Sequence, residues 1–292
     1  MQRPFFSIVV VSLNPGERLE KTLDSILKQT YTDYEVILKD GGSGDGSLSG
    51  LQEKGFFDNK NQIKIIEQKD KSIYDGMNQA VAYVKGRYVQ FLNCGDSFYS
   101  DRVLEEVADY IVKQRKEQIK SNIAGDFAIE VIEEQPIIYY GNQYNQLQET
   151  IVYSAPQIND FTCYRNVPCH QVCFYDYRLF EKRAYELKYK VRADYEHFLY
   201  SIYQEGAKGI SMPIVVASYE GGGFSETREN RKCSAQEHKV ITTKYLGKAK
   251  AFKYRMIMWL TLAPLRTAMA ESPVLSGIYN GIKNGIYKLL RK

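Results

Sequence analysis

Residues 7–13 read SIVVVSL, with no polar residue between the two serines. A strand with one wet face alternates apolar and polar residues, so an unbroken β-branched run must be covered on both faces, as inside a parallel sheet. Asn14 and Pro15 then supply a helix N-cap and a proline at the first helical position, and Leu19, Leu23, Ile26 and Leu27 make the apolar stripe of a helix reaching about Gln29. YEVILKD (34–40) is a second strand closed by the turn GGSGDG. A weaker helix (46–54), the strand IKIIE (63–67), a helix with Ile73, Met77, Ala80, Val81 and Val84 on one face, and the strand RYVQFL (87–92) follow. The order βαβαβαβ predicts an α/β fold, a mostly parallel central sheet with helices on both faces.

In open sheets of this kind ligands collect beyond the carboxyl ends of the strands, where loops and helix N-termini converge. Three polar clusters fall there: Ser12-Leu13-Asn14, Asp40 to Gly46, and Asn93-Cys94-Gly95-Asp96. Further on, the patterns predict an amphipathic helix over 101–118, a strand at PIIYYGN and a strand at CHQVCFYD (169–176). VRADYEHFLYSIYQEG (191–206) reads as a helix opening near Asp194, and GISMPIVVASYEGGGFS (209–225) as a strand pair entering a glycine loop.

Charge is distributed unevenly. Of 39 Lys and Arg, 13 lie in 231–292, against 2 of the 35 acidic residues, so the first 230 residues carry about −7 and the remainder about +11. That divides the chain into a body, 1–230, and a basic appendage, 231–292, suited to an anionic membrane or nucleic acid. The opening MQRPFFSIVVVSLNPGER has too short an apolar run for a signal peptide, so export is not expected. Five cysteines, an odd number, are expected as reduced thiols in the cytosol. Cys163, Cys169, His170 and Cys173 lie close together, but their spacing is not that of a zinc site.

Six segments occur in a telling order: SIVVVSLN, SILKQTYTDYEVILKDGGSGDGS, DKSIYDGMNQAVAYVKGRYVQFLNCGD, CHQ, ADYEHFL and GGGFS. Over roughly 5–225 the chain resembles the family 2 glycosyltransferases of the GT-A fold, and among them the bacterial enzymes of surface-polysaccharide assembly. The resemblance implies a nucleotide-binding half, 1–100, and an acceptor and catalytic half, 101–230. It implies that Asp96, last in its acidic motif, holds Mg²⁺ or Mn²⁺ against the leaving diphosphate. Asn93 and Gly95 stand where many relatives have acids, and a turn aspartate bonding its own backbone is the other account of Asp96.

The resemblance also places Ser12, Asn14, Asp40, Gly42 and Ser43 on the nucleotide, with Asp70, Lys71, Asp75, Asn78, Asn93 and Gly95 around the donor. Ser72 and Asp75 have capping-box spacing, so Asp75 is read equally as a cap and as a ligand. Asp194 aligns with the catalytic base, Ala193 replaces the preceding acid, and Glu196 is the alternative base. His170 and Gln171 resemble a pair on the acceptor side, while a lone histidine is as readily a hydrogen-bonded core residue. Gly222 and Ser225 belong to a loop over the diphosphate.

The expected activity is inverting, metal-dependent transfer from a nucleotide-diphosphate sugar, a UDP-sugar first, to a hydroxyl of a lipid-linked saccharide. A sugar nucleotidylyltransferase is the alternative enzyme, though SLNPGERLE lacks the longer glycine-rich basic loop it would need; a non-catalytic scaffold binding nucleotide sugar is the other alternative. In 244–292, basic residues precede an apolar run too short to span a bilayer, and Ile278, Ile282, Ile286 and Leu289 recur at helical spacing. These basic amphipathic helices suit peripheral attachment to the inner, anionic face of the cell membrane, or alternatively a homodimer contact. Nucleic acid is not expected, since no binding motif accompanies the charge.

Overall fold

A computed structural model of the protein describes residues 3–58, 63–124, 135–221 and 227–261. The chain divides into two compact units, Met1–Ile241 and Thr242–Lys292. The first begins with β1 (Phe6–Ser12), α1 (Arg18–Leu27), β2 (Tyr34–Asp40), α2 (Ser47–Glu53), β3 (Ile63–Glu67), α3 (Ile73–Val81) and β4 (Tyr88–Phe91), in the order read from the sequence. It continues through β5 (Ser97–Phe98), α4 (Val103–Ala124), β6 (Ile137–Asn145), β7 (Thr150–Val152) and α5 (Asp160–Arg165). Then come β8 (Cys173–Asp176), α6 (Arg178–Lys182), α7 (Ala193–Tyr203), β9 (Lys208–Tyr219) and the first part of α8 (Arg228–Leu260).

One sheet joins these strands in the order β3-β2-β1-β4-β8-β6-β9-β5, with β7 on β6. It is parallel from β3 to β4 and again between β6 and β9, and antiparallel where β8, β5 and β7 pair. The β1 run explains its place: Phe6, Ile8, Val9 and Val10 are buried between β2 and β4. In register, Ser12 at the end of β1 meets Asp40 at the end of β2, so two of the polar clusters leave the sheet side by side.

Three local expectations are corrected. Asn14 is not an N-cap: it sits at φ 47 in a turn, and α1 begins at Arg18 after Glu17. Its side-chain oxygen instead accepts from Gly44 N at 2.9 Å, stitching the first loop to the second. CHQVCFYD is strand only from Cys173, because His170–Val172 form a 3₁₀ turn that redirects both polar side chains off the sheet. The expected strand pair near 209 is one twelve-residue strand, β9, bent by register shifts against β6.

The inward polar side chains of α1 have a structural use. Thr22 Oγ1 donates to Asp96 O at 2.7 Å and accepts from Gly95 N at 2.9 Å. Ser25 accepts from Phe98 N, and Gln29 bonds Ser100 O and Leu104 N. Helical spacing thus sets Thr22 and Ser25 along the segment that carries Asp96, and Gln29, just past the end of α1, extends the row.

Gly86, before β4, passes so close to β1 that a Cβ there would lie 2.5 Å from both Phe6 C and Ser7 N. Backbone cannot yield as a flexible side chain can, so Gly86→Ala is expected to cost about 3 kcal/mol, read as a fall of roughly 5–10 °C in thermal melting. An unchanged melting temperature would contradict this packing.

Candidate active site

Asp40 closes β2 and is almost fully buried. Its carboxylate accepts from Gly42 N (2.8 Å), Ser43 N (2.6 Å), Ser43 Oγ (2.6 Å) and Ser12 Oγ (3.1 Å). Burial pushes its carboxyl up, but the bonds from Ser43, Gly42 and Ser12 outweigh that and hold it below the ordinary value. Beside it Lys39, wholly buried, donates to Asp40 O, Gln68 O and Asp70 Oδ2 at 2.9, 2.5 and 2.9 Å, filling all three of its N–H positions.

Asp96 follows β4 through the turn Asn93-Cys94-Gly95. Gly95 has φ +100, which favours glycine, and a Cβ on it would displace the Glu220 carboxylate, whose Oε2 would lie 2.4 Å away. Asp96 is 4% exposed. Its Oδ1 accepts from Glu220 N (3.0 Å) and its Oδ2 from Gln171 Nε2 (3.1 Å). Burial pushes this carboxyl up, outweighing the bonds from the Glu220 N–H and Gln171 and the nearby His170, which pull it down; the charge of Glu220, itself 3.4 Å from Arg18 Nε, adds to the rise.

Asp194 stands in the first turn of α7. Its Oδ1 accepts from the Tyr74 hydroxyl at 2.8 Å, and its Oδ2 lies 2.9 Å from His170 Nδ1. Burial would raise its carboxyl too, but the bonds from His170, Tyr74 and the Tyr195 N–H hold it below the ordinary value. Adjacent residues therefore grip two acids, His170 holding Asp194 and Gln171 holding Asp96. Asn93, His170, Gln171 and Asp194 line one cavity of about 260 Å³ with Tyr74 and Met77.

Residues 7–176 match the model of the family described as glycosyl transferase family 2. The chain belongs to this family. It is a glycosyltransferase, and the nucleotidylyltransferase alternative falls. A PGL/p-HBAD biosynthesis glycosyltransferase of Mycobacterium bovis is 32% identical over 230 residues, 78% of this chain and 81% of that protein. The S. aureus TarS 1-349 structure in complex with UDP-GlcNAc matches with a TM-score of 0.59 and 15% identity, covering 82% of this chain and 71% of that one. The mannosyltransferase PcManGT of Pyrobaculum calidifontis, in complex with GDP-Man and Mn²⁺, matches with a TM-score of 0.59 and 13% identity over 96% of this chain and 84% of that one. These two structural matches support the GT-A fold.

In this family 2 transferase the remaining predicted residues fall into distinct groups. Ser12, Asn14, Asp40, Gly42 and Ser43 form one bonded cluster, closed by Asn14 N donating to Ser43 Oγ at 2.8 Å. Asn93 and Gly95 lie in the Asp96 turn, and Asn93 Oδ1 is buried without a hydrogen-bond partner among the described residues. Asp75 is a cap: its N–H donates to Ser72 Oγ, and its carboxylate accepts from the N–H of exposed Lys71 at 2.8 Å. Asp70, which has no structural role in the sequence reading, is the counter-charge of buried Lys39. Asn78, expected on the donor, instead clamps the Tyr185 backbone with both ends of its amide at 2.9 Å. Glu196, the alternative base, is fully buried and paired with Arg183 Nη2 at 2.7 Å, away from the cavity. Gly222 and Ser225 lie outside the described residues.

Two acids escaped the sequence reading. Glu220, at the end of β9, adds its carboxylate beside Gly95 and Asp96. Glu237 on α8 accepts from the N–H groups of Lys190, Val191 and Arg192 at 2.6, 3.1 and 2.9 Å, fixing the segment that leads into Asp194. In sequence it is a lone acid in a basic stretch, which was the available signal.

The donor set fits a divalent cation in one way. Among the described residues no three His, Cys, Asp or Glu side chains are grouped to hold a metal unaided. Asp96 accepts one hydrogen bond on each oxygen and keeps further lone pairs. It can therefore supply one ligand to an ion whose remaining ligands are phosphate oxygens and water.

The bonds to Asp40 favour its charged form in the folded protein. Their contribution is present above the ordinary carboxylate value of 3.8 and is lost as pH falls through the lower folded value. Asp40→Asn is therefore expected to melt below wild type at pH 7, and the gap should narrow as pH drops below that value. A gap independent of pH, followed by calorimetry, would refute the charge argument.

Proposed function

We propose that this enzyme is an inverting, divalent-metal-dependent glycosyltransferase of surface-polysaccharide assembly. Its donor is a nucleotide-diphosphate sugar, a UDP-sugar first, and its acceptor a hydroxyl of a lipid-linked saccharide. The observation that carries the reading is the turn in which neighbouring His170 and Gln171, which line one cavity together with Asp194, bond Asp194 and Asp96 respectively. Transfer with inversion needs a proton acceptor on one side of the anomeric carbon and charge stabilisation on the other, and the two carboxylates provide this pair.

Asp40, with Ser12, Ser43 and the loop knitted by Asn14, holds the nucleotide. Asp96 holds Mg²⁺ or Mn²⁺ together with the diphosphate. The ion, when bound, supplies neutralisation of the leaving group's charge. At the start of α7, Asp194 and His170 act as the base that takes the acceptor's proton.

The second unit supports a peripheral membrane location. Its described part is the end of α8, broken at Gly247 (φ 79, ψ 159). Phe252, Met256, Trp259 and Leu260 are exposed at helical spacing with Lys253 and Arg255 interspersed, the pattern of a helix lying in an anionic interface. Among the described residues no helix is long and apolar enough to cross a membrane.

Calorimetric titration of UDP-GlcNAc and GDP-mannose with and without Mn²⁺ tests the donor site. Asp96→Asn should abolish the metal-dependent part of the affinity, at least about tenfold or 1.4 kcal/mol. Asp194→Asn should bind donor normally yet stop release of nucleoside diphosphate. Metal-independent binding in wild type would overturn the metal assignment, and normal turnover in Asp194→Asn would overturn the part given to that carboxylate.

Sedimentation with vesicles tests the membrane half. The full chain should bind phosphatidylglycerol-containing vesicles in low salt and lose binding in 0.5 M salt, at roughly a third of the low-salt Debye length. The pair Phe252→Asp and Trp259→Asp should remove it. Absence of vesicle binding with a dimer in solution would assign the basic helices to a subunit contact.

A further inference from the structure

We infer that Nε2 of His170 is the atom that receives the proton from the attacking hydroxyl, with Asp194 behind it as a positioning carboxylate. This rests on the transfer reaction proposed above and specifies its base.

Both oxygens of Asp194 already have partners, His170 Nδ1 on Oδ2 and, on Oδ1, the Tyr74 hydroxyl, whose one proton is shared with Val191 O at the same 2.8 Å. The Tyr74 phenol is buried and its pKa driven well above the usual value, so it stays a donor. A carboxylate stabilised by two such bonds is a weak acceptor for a sugar hydroxyl's proton.

The histidine is oriented the other way. An ionised carboxylate can only accept, so the proton of the neutral imidazole sits on Nδ1 and the lone pair on Nε2. Nε2 is buried and has no hydrogen-bond partner among the described residues, although His170 lines the cavity. Leaving such a nitrogen unpaired costs about 1–3 kcal/mol, a cost an entering hydroxyl removes by donating to it. Asn93, on the same cavity, has a second unpartnered acceptor in Oδ1. Two bare acceptors at one cavity suit a ligand rich in hydroxyl groups.

The turn is also held in place. Gln171 bonds Asp96 through its side chain, and its carbonyl accepts from Gln90 Nε2 at 2.8 Å. His197 also has one nitrogen, Nδ1, without a hydrogen-bond partner among the described residues, but it does not line the cavity: burial lowers it to about 4, it stacks on Phe180 with ring centroids 4.2 Å apart, and its Nε2 meets Arg183 O. That histidine is core.

In the step, the hydroxyl oxygen bonds to the anomeric carbon while the carbon–oxygen bond to the diphosphate breaks. The leaving nucleoside diphosphate keeps that electron pair, and the hydroxyl proton passes to Nε2. The imidazolium so formed is held by Asp194 and returns its proton to water after release.

The test uses the full chain with Mn²⁺ and whichever of UDP-GlcNAc or GDP-mannose binds, following single-turnover release of nucleoside diphosphate to water. His170→Ala should slow release at least about 100-fold, with donor and Mn²⁺ affinities unchanged. Added imidazole should restore a rate that rises with its concentration; His170→Gln, which preserves bulk, should be equally slow without being needed for folding. Nitrogen-15 spectra of wild type should show His170 protonated on Nδ1, a tautomer preference lost in Asp194→Asn. Release within about threefold of wild type in His170→Ala, with Asp194→Asn inactive, would return the base to Asp194. Weakened Mn²⁺ or donor binding in His170→Ala would place Nε2 on the donor side and overturn the inference. If neither substitution slows release, the transferase mechanism itself fails.

Discussion

Keeping carboxylates charged where water is scarce organises this molecule. Asp40, Asp96 and Asp194 all sit at the ligand end of the sheet, and each is stabilised differently. Asp40 is saturated by its own loop. Asp194 has a histidine and a tyrosine. Asp96 has two neutral donors and a neighbouring acid, and of the three it alone is held above the ordinary carboxylate value, chiefly by burial. A negative charge left in that condition is costly without a ligand and valuable with a cationic one. The same arithmetic separates the nucleotide loop, which is complete by itself, from the transfer site, which is completed by what binds.

The scaffold serves that arrangement through polar side chains placed inside. Thr22 and Ser25 of α1 and Gln29 just after it fix the Asp96 segment, and Glu237 fixes the entry to α7. Lys39 ties the end of β2 to Asp70, which is why a lysine can stand in the middle of an otherwise apolar parallel strand. Each of these bonds would be a liability if half made, since an orphaned buried donor or acceptor costs more than a finished bond returns. The exceptions are therefore informative, and two of them, His170 Nε2 and Asn93 Oδ1, belong to the cavity.

Strand and helix order through β4 was legible because periodicity is a local property: SIVVVSL and the stripe at Leu19, Leu23 and Ile26 declare their burial with no knowledge of partners. The CHQ turn was misread because alternation over a few residues cannot distinguish a strand from a 3₁₀ turn. Asp40, Asp96 and Asp194 were legible as candidates, each ending a strand or opening a helix. Glu196 looked equivalent to Asp194, being two residues away on the same helix. Two residues turn an α-helix by about 200°, which puts one acid at the cavity and the other against Arg183.

The sequence by itself determined the alternation of elements, the side of the sheet on which polar loops gather, and the contrast between an acidic body and a basic end, since all three follow from the order of residue types along the chain. Only the tertiary structure decided which polar residues are spent on the fold, as Asn78, Asp70 and Glu196 are, and which remain to meet a ligand. That distinction depends on partners distant in sequence, such as Tyr185 for Asn78 and Asp194 for His170, and hydrogen bonding is satisfied in space rather than along the chain.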